Sequence, residues 1–312
     1  MTTPSIQLGL CCINNRLRAQ KPTIFNSRTC IRKNYSVEKA KQLALQNVKD
    51  LIPMIEWNHK NNIRVFRLSS NIFPRFTDKE VESYTIDFVK DELKKAGDLA
   101  KKYNIRLLMH PAQYNQVGAL EQKVFDSTIK DLSHHADILD AMGLDNNSVL
   151  IVHGGGMYND KKRTMARWVY QFQKLPEKVR NRLVLEHCEK CYSIRDTLVI
   201  SKSVAKRGYN LPIVYDSHHF ECYELLHEDE PKINLHKHLK LVVESWGNRK
   251  PIMHVSNQGS GRTGHHSDYI TRFPESFFFI RDELGVSIDL EVEAKAKEAA
   301  IFALRKMHPS LK

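Results

Sequence analysis

Short apolar runs and long amphipathic stretches take turns along the chain. The runs are IQLGLCCI, RVFRLSS, RLLMH, SVLIVH, LVLEH, LPIVYD, KPIMHVS and VSIDLEVE. They are rich in Val, Ile and Leu and do not alternate cleanly, as strands buried on both faces should not. Between them, stretches such as SVEKAKQLALQNVKDLIPMIEWNHKN and EVESYTIDFVKDELKKAGDLAKKYN have helical periodicity. Strand and helix in alternation imply βαβ units and a parallel sheet. About eight such units, each of roughly thirty to forty residues, make the number that closes a barrel. The expected fold is α/β, a single (β/α)8 TIM barrel over residues 1–312, with its site at the C-terminal face of the strands. An open doubly wound sheet would share the periodicity. However, no GxGxxG follows the first strand and no GxxxxGK[ST] occurs, which argues against dinucleotide and P-loop folds.

Composition narrows the class. With 312 residues, 41% hydrophobic and 27% charged, the chain can bury a sizeable core and is not a disordered or fibrous sequence. No run approaches the roughly 18 apolar residues of a membrane span, and the opening residues lack the layout of a signal peptide. Lys and Arg number 48 against 36 Asp and Glu, a net charge of +12 that favours a polyanionic partner such as nucleic acid. Six cysteines make no disulfide framework in a chain of this length. Cys188 and Cys191 form a CxxC with no second pair nearby to complete a zinc site. Cys11 and Cys12, adjacent in an apolar run, read as buried and inert. A reducing, intracellular compartment is expected; cytosol, nucleus and a viral setting all fit.

The strand ends carry the candidate chemistry. RLLMH ends on His110, SVLIVH on His153, LVLE on Glu186 and IVYD on Asp216; PIMH presents His254, and DLEVE presents Glu291 and Glu293. In a barrel all strand C-termini open on one face, so these side chains converge. A lone histidine at a strand end is usually structural, but this many in one slot without a cation would leave buried charge unpaired. Mixed imidazole and carboxylate donors suit Zn, Mn or Fe better than Mg or Ca. The candidates exceed one tetrahedral site, so two or three ions are expected. Paired ions polarise a phosphoryl oxygen, generate hydroxide and stabilise a leaving oxygen in phosphodiester cleavage. Together with the positive charge, this points to a nuclease. The HGGG at His153 has no GxSxG partner for an esterase, and its glycines read as clearance for a ligand. Of His134 and His135, one is expected packed and one exposed. Lys295 and Lys297 read as a solvated helix face that starts near the pocket.

Further motifs follow in a characteristic order: GLCCIN, SRTC, EWN, RLSS, MHPAQY, VHGGG, LVLE, YDSHH, HVSN, HSDYI and EAKAKE. Each is weakly specific, but their collinearity resembles the UV damage endonuclease family across nearly the whole chain. The resemblance implies a TIM barrel akin to endonuclease IV that binds two or three divalent ions, most typically Mn2+, with Zn2+ an alternative. It implies a DNA repair enzyme that nicks lesion-bearing double-stranded DNA on the 5′ side of a UV photolesion, leaving a 3′-hydroxyl and a 5′-phosphate. The ligands it implies are His110, His153, Glu186, Asp216, His219, His254, His266 and Glu293, with Glu186, His110 and Glu293 carrying the catalysis. Gln113 and Tyr114 resemble the pair that wedges into the duplex, and Asn14 resembles another damage-side contact. An amide and an aromatic beside a basic metal pocket could replace stacking lost when bases are extruded.

The chain departs from the family pattern in places. A histidine ligand usual after SSNIFP is replaced by Asp78, whose oxygen suits the same metals. A lysine usual two residues before the HVSN histidine, modifiable to serve the metal, is Ile252; Lys250 faces the same way one layer lower. The tyrosine of the family's GYxCxN is Leu10, which weakens the lesion contact. LEND becomes LEHC, making His187 a substitute supporting group. The alternatives are an abasic-site endonuclease, which Leu10 would permit, a divalent-metal sugar isomerase or epimerase barrel, and a non-catalytic DNA-binding barrel. No membrane or obligate protein partner is expected, and a monomer suffices.

Overall fold

The computed structural model describes residues 3–312. Eight parallel strands run in it: β1 (Ile6–Cys11), β2 (Val65–Leu68), β3 (Arg106–Met109), β4 (Leu150–His153), β5 (Leu183–Glu186), β6 (Ile213–Val214), β7 (Ile252–Val255) and β8 (Ile288–Val292). Their order is β6-β5-β4-β3-β2-β1-β8-β7. The outer strands meet through a single parallel bridge, Asp216 to His254, with the His254 amide donating to Tyr215 O at 3.0 Å. The eight-stranded TIM barrel expected from the alternating pattern is therefore present, closed at its weakest seam by two candidate site residues.

Side-chain parity explains the layering. Along each strand, one set of positions faces the helices and the other faces the lumen. Leu107, Leu150, Leu185 and Met253 belong to the larger cluster packed under the helices. Val65, Leu108, Ile151, Val184, Val214 and Ile252 form a separate cluster that fills the lumen. Below this apolar layer lies a polar plug. Arg106 meets Asp289 at 3.0 Å, and Lys250 donates to Gln7 Oε1 at 2.7 Å and pairs with Asp289. Above the apolar layer, the same parity sends Arg67, His153, Glu186, His254 and Glu291 inward, where they meet one another. Lys250 thus faces the lumen as expected, but at the end opposite the histidines.

Two helix expectations change. The stretch from Ser36 folds as two helices, Val37–Lys49 and Leu51–Lys60, separated at Asp50. In the stretch from Glu80, only Lys90–Lys102 is a regular α-helix. Its first part is held outside a helix by Tyr84, which is buried and donates to Pro74 O at 2.8 Å, and by Glu82 O, which accepts from the Tyr35 hydroxyl. His134 and His135 are both buried, against the expectation of one exposed ring. His134 stacks on Phe76 with centroids 3.5 Å apart, and His135 Nδ1 lies 2.7 Å from Asp131 O.

Candidate metal centre

At the upper end of the lumen, Glu186 sits among four imidazoles. His110 Nε2 lies 3.0 Å from Glu186 Oε2, and His153 Nε2 lies 3.7 Å from the same oxygen. His219 Nδ1 and His254 Nδ1 stand 3.1 and 3.0 Å from Oε1. Register explains the closeness: His153 pairs with Glu186 across β4 and β5, and both point inward. Burial would raise the Glu186 carboxyl, but His254 and His153, with the hydrogen bonds from His110 and His219, hold it well below the usual carboxylate range. Burial lowers His153 to about 4. It pulls His219 and His254 the same way, but the surrounding carboxylates overcome it and hold both rings well above the ordinary histidine value.

A second gathering shares His254. Its Nδ1 lies 3.8 Å from Asp216 Oδ2 and 3.7 Å from Glu293 Oε1. Asp216 Oδ1 caps the helix Ser217–Leu226, accepting from the amides of His218 at 2.7 Å and His219 at 2.9 Å. Its Oδ2 is buried with no donor. Ligand atoms come together in three sets, each within 4.8 Å: His110 with Glu186 and His254; His153 with Glu186 and His219; and Asp216 with His254 and Glu293. An orphaned buried carboxylate oxygen beside a carboxylate ringed by imidazoles fits divalent cations of the borderline type.

Of the candidates named from the sequence, His110, His153, Glu186, Asp216, His219, His254 and Glu293 converge. His266 borders them, with Nε2 3.6 Å from Glu293 Oε2. Asp78 does not join them. Its carboxylate instead pairs with Arg32 at 2.9 Å and Arg75 at 3.3 Å. Asn14 caps the short helix Asn15–Arg18, accepting from Leu17 N at 2.9 Å, and is 1% exposed, so its amide is not presented to a duplex. Leu10, in place of the family tyrosine, packs under the helices. Gln113 and Tyr114 lie exposed on the loop after β3, next to His110. The Tyr114 hydroxyl donates to Asp131 Oδ1 at 3.1 Å. His187 supports the centre through Nε2, which accepts from Asp216 N at 3.1 Å. Gly154 provides room for the Tyr192 ring, 2.5 Å from where a Cβ would stand, rather than for a ligand.

Sequence reasoning missed Arg67 and Asp131. Arg67 is buried between Glu291, 3.3 Å from its Nε, and Glu293. Cys11, expected to be inert, has its Sγ 2.8 Å from Arg67 Nη2. An arginine inside the otherwise apolar run VFRL is the signal that could have found it, since a strand buried on both faces has no place for an unpaired charge. Asp131 is hidden on a helix, yet it also accepts from Thr77 Oγ1 at 2.6 Å and Asn115 Nδ2 at 2.7 Å, tying the loop that bears Tyr114 to the barrel.

A TIM barrel with titratable strand ends defines a candidate metalloenzyme. Comparison with known proteins gives the family. Residues 6–312 match the family model described as UV-endonuclease UvdE, and the chain belongs to that family. It is 37% identical over 315 residues to a UV-damage endonuclease of Schizosaccharomyces pombe, covering 96% of this chain and 50% of that protein. It is 33% identical over 306 residues to a UV DNA damage endonuclease of Clostridium perfringens, covering 93% of this chain and 70% of that one. The chain thus spans about half the length of its yeast relative. Among solved structures, SacUVDE matches with a TM-score of 0.82 at 27% identity, over 98% of this chain and 100% of that one. Endonuclease IV from Thermus thermophilus matches with a TM-score of 0.58 at 12% identity, over 97% of this chain and 98% of that one. D-psicose 3-epimerase matches with 0.51 at 14%, over 80% and 83%. The last two likenesses concern the barrel alone, which nucleases and epimerases share.

Proposed function

We propose that this chain is a metal-dependent DNA repair endonuclease that hydrolyses the phosphodiester bond 5′ to UV photolesions, leaving a 3′-hydroxyl and a 5′-phosphate. The observation that carries the reading is the buried Glu186 carboxylate ringed by His110, His153, His219 and His254 in a chain of the UV-endonuclease family. Those residues, with Asp216, Glu293 and the adjacent His266, would hold two or three divalent ions, manganese foremost. When bound, such ions supply positive charge to a phosphoryl group and make water acidic enough to attack at neutral pH.

The chain's own residues account for the rest. Glu186 belongs to two of the three ligand sets, so a single carboxylate links them. Arg16 and Arg18 on the short helix after β1, Arg262 and Arg272 on loops after β7 and Lys295 after β8 are exposed on the same face and would grip phosphates. Binding through such contacts weakens steeply with salt. Gln113 and Tyr114 would enter the duplex where a lesion has already weakened stacking.

The test is manganese-dependent nicking of two labelled duplexes, one with a cyclobutane pyrimidine dimer and one with a single abasic site. EDTA and Glu186→Ala serve as controls. Cleavage immediately 5′ to the dimer, abolished in both controls, is the expected result. Cutting of the abasic duplex alone would replace the proposal with an abasic-site endonuclease, and no cutting of either by metal-loaded protein would overturn it.

A further inference from the structure

His254 is the hinge of the cluster, because two of the three ligand sets use it. A ring nitrogen that ligates a cation must offer a lone pair, so the ring's hydrogen must sit on the other nitrogen and find an acceptor there. Its Nδ1 is the nitrogen that faces Glu186, Asp216 and Glu293. His254 is 0% exposed, so bulk solvent does not reach the other nitrogen. The group facing its Nε2 is Glu291, whose Oε2 stands 2.9 Å away. The two residues are register partners across β7 and β8, both facing the lumen, so the pairing is built into the sheet.

Glu291 is itself held. Its Oε1 lies 3.3 Å from Arg67 Nε and 3.8 Å from Cys11 Sγ. Arg67 also pairs with Glu293, one of the residues around His254 Nδ1. Neither oxygen of Glu291 belongs to a ligand set. The neighbouring strand is close at this level: a Cβ on Gly9, the register partner of Glu291 on β1, would meet Val65 Cβ at 2.9 Å. One oxygen thus lies against Arg67 and Cys11 while the other faces the ring nitrogen.

We propose that Glu291, clamped by Arg67, is a positioning residue that fixes the orientation of His254 so that its Nδ1 faces the candidate metal sites. The proposal rests on the reading that this cluster holds divalent ions. Such supporting carboxylates commonly change metal affinity by about 10- to 100-fold.

Manganese affinity, read from the electron paramagnetic resonance signal of free Mn2+, is compared in the wild type, Glu291→Met and Glu291→Gln. Glu291→Met, which keeps bulk but removes the acceptor, is expected to bind manganese about 10- to 100-fold more weakly. Glu291→Gln, which keeps an acceptor oxygen, is expected to recover most of that loss. Wild-type affinity in a folded Met variant would overturn the proposal. Should the Met variant not fold, the zinc-loaded wild type decides through 15N spectra of its histidines, with His254 assigned by His254→Asn. A hydrogen on Nε2 and a ligated Nδ1 support the proposal, and the reverse arrangement overturns it. Neither readout uses DNA, so it fails or stands separately from the nuclease reading.

Discussion

Tyr114 shows how one residue can be exposed and still held in place. The residue is 61% exposed while its hydroxyl is tied to Asp131, so the side chain is accessible and its tip is anchored. The phenol is pushed up to about 12, by burial first and by Asp131 second, and stays protonated as a donor throughout the working range. Stacking of a base on an aromatic face is worth roughly 1–3 kcal/mol. Tyr114→Ala is therefore expected to slow nicking of a dimer-bearing duplex by about 10- to 100-fold with manganese content unchanged. Tyr114→Phe, which keeps the face and loses only the anchor, is expected to cost a few-fold at most. Rates on dimer and undamaged duplexes, measured beside metal content, check both.

The contact between the helices Lys90–Lys102 and Gln122–Ala141 depends on Gly97. A Cβ there would stand 1.9 Å from the carbonyl oxygen of Met142, a backbone atom that cannot rotate away. Gly97→Ala gains about 1 kcal/mol of helix propensity. It also forces two elements apart, at a cost of about 1–3 kcal/mol or more. The clash is expected to win, lowering the urea midpoint while leaving nicking by the folded protein intact. Asp216 acts at the same scale, because one residue caps a helix, bridges β6 to β7 and keeps a free oxygen for the centre. At this seam β6 is regular over only Ile213–Val214 although the apolar run LPIVYD is longer.

Across the whole molecule, protons and metal ions compete for one cluster. In metal-free protein, His219 and His254 are held above the unfolded value, so their contribution is complete below about pH 6.5 and is lost as pH rises through their folded values. Glu186 and Glu293 are held below theirs, so their contribution is present above about pH 4.3 and is lost on acidification. His153, at about 4, and His187, at about 3, are neutral when buried and oppose folding as pH falls below about 6.5. Metal-free stability should therefore peak near neutrality and decline toward pH of about 9. Metal binding displaces protons and strengthens over the same interval. The difference in Tm between manganese-loaded and EDTA-treated protein is expected to widen from about pH 6 to about pH 9, as thermal melts would show; a constant difference would contradict it.

Much of this was legible in the residues. Alternating runs specify parallel strands because burial on both faces and a helical crossover each leave a pattern along the chain. Most of the converging residues were visible as strand ends because the barrel places every such end on one face. Asp78 and Asn14 show the limit, since each is a suitable residue in a suitable motif. Asp78 nevertheless pairs with arginines, one of them 46 positions away, and Asn14 caps its own helix. Arg67, Glu291 and Asp131 act through partners 16 to 280 positions distant, and such partnerships leave no local periodicity. Residue spacing can say which side chains face the lumen. Which nitrogen faces which carboxylate depends on strand register and on how lumen volume is shared, and those arise only when the barrel closes.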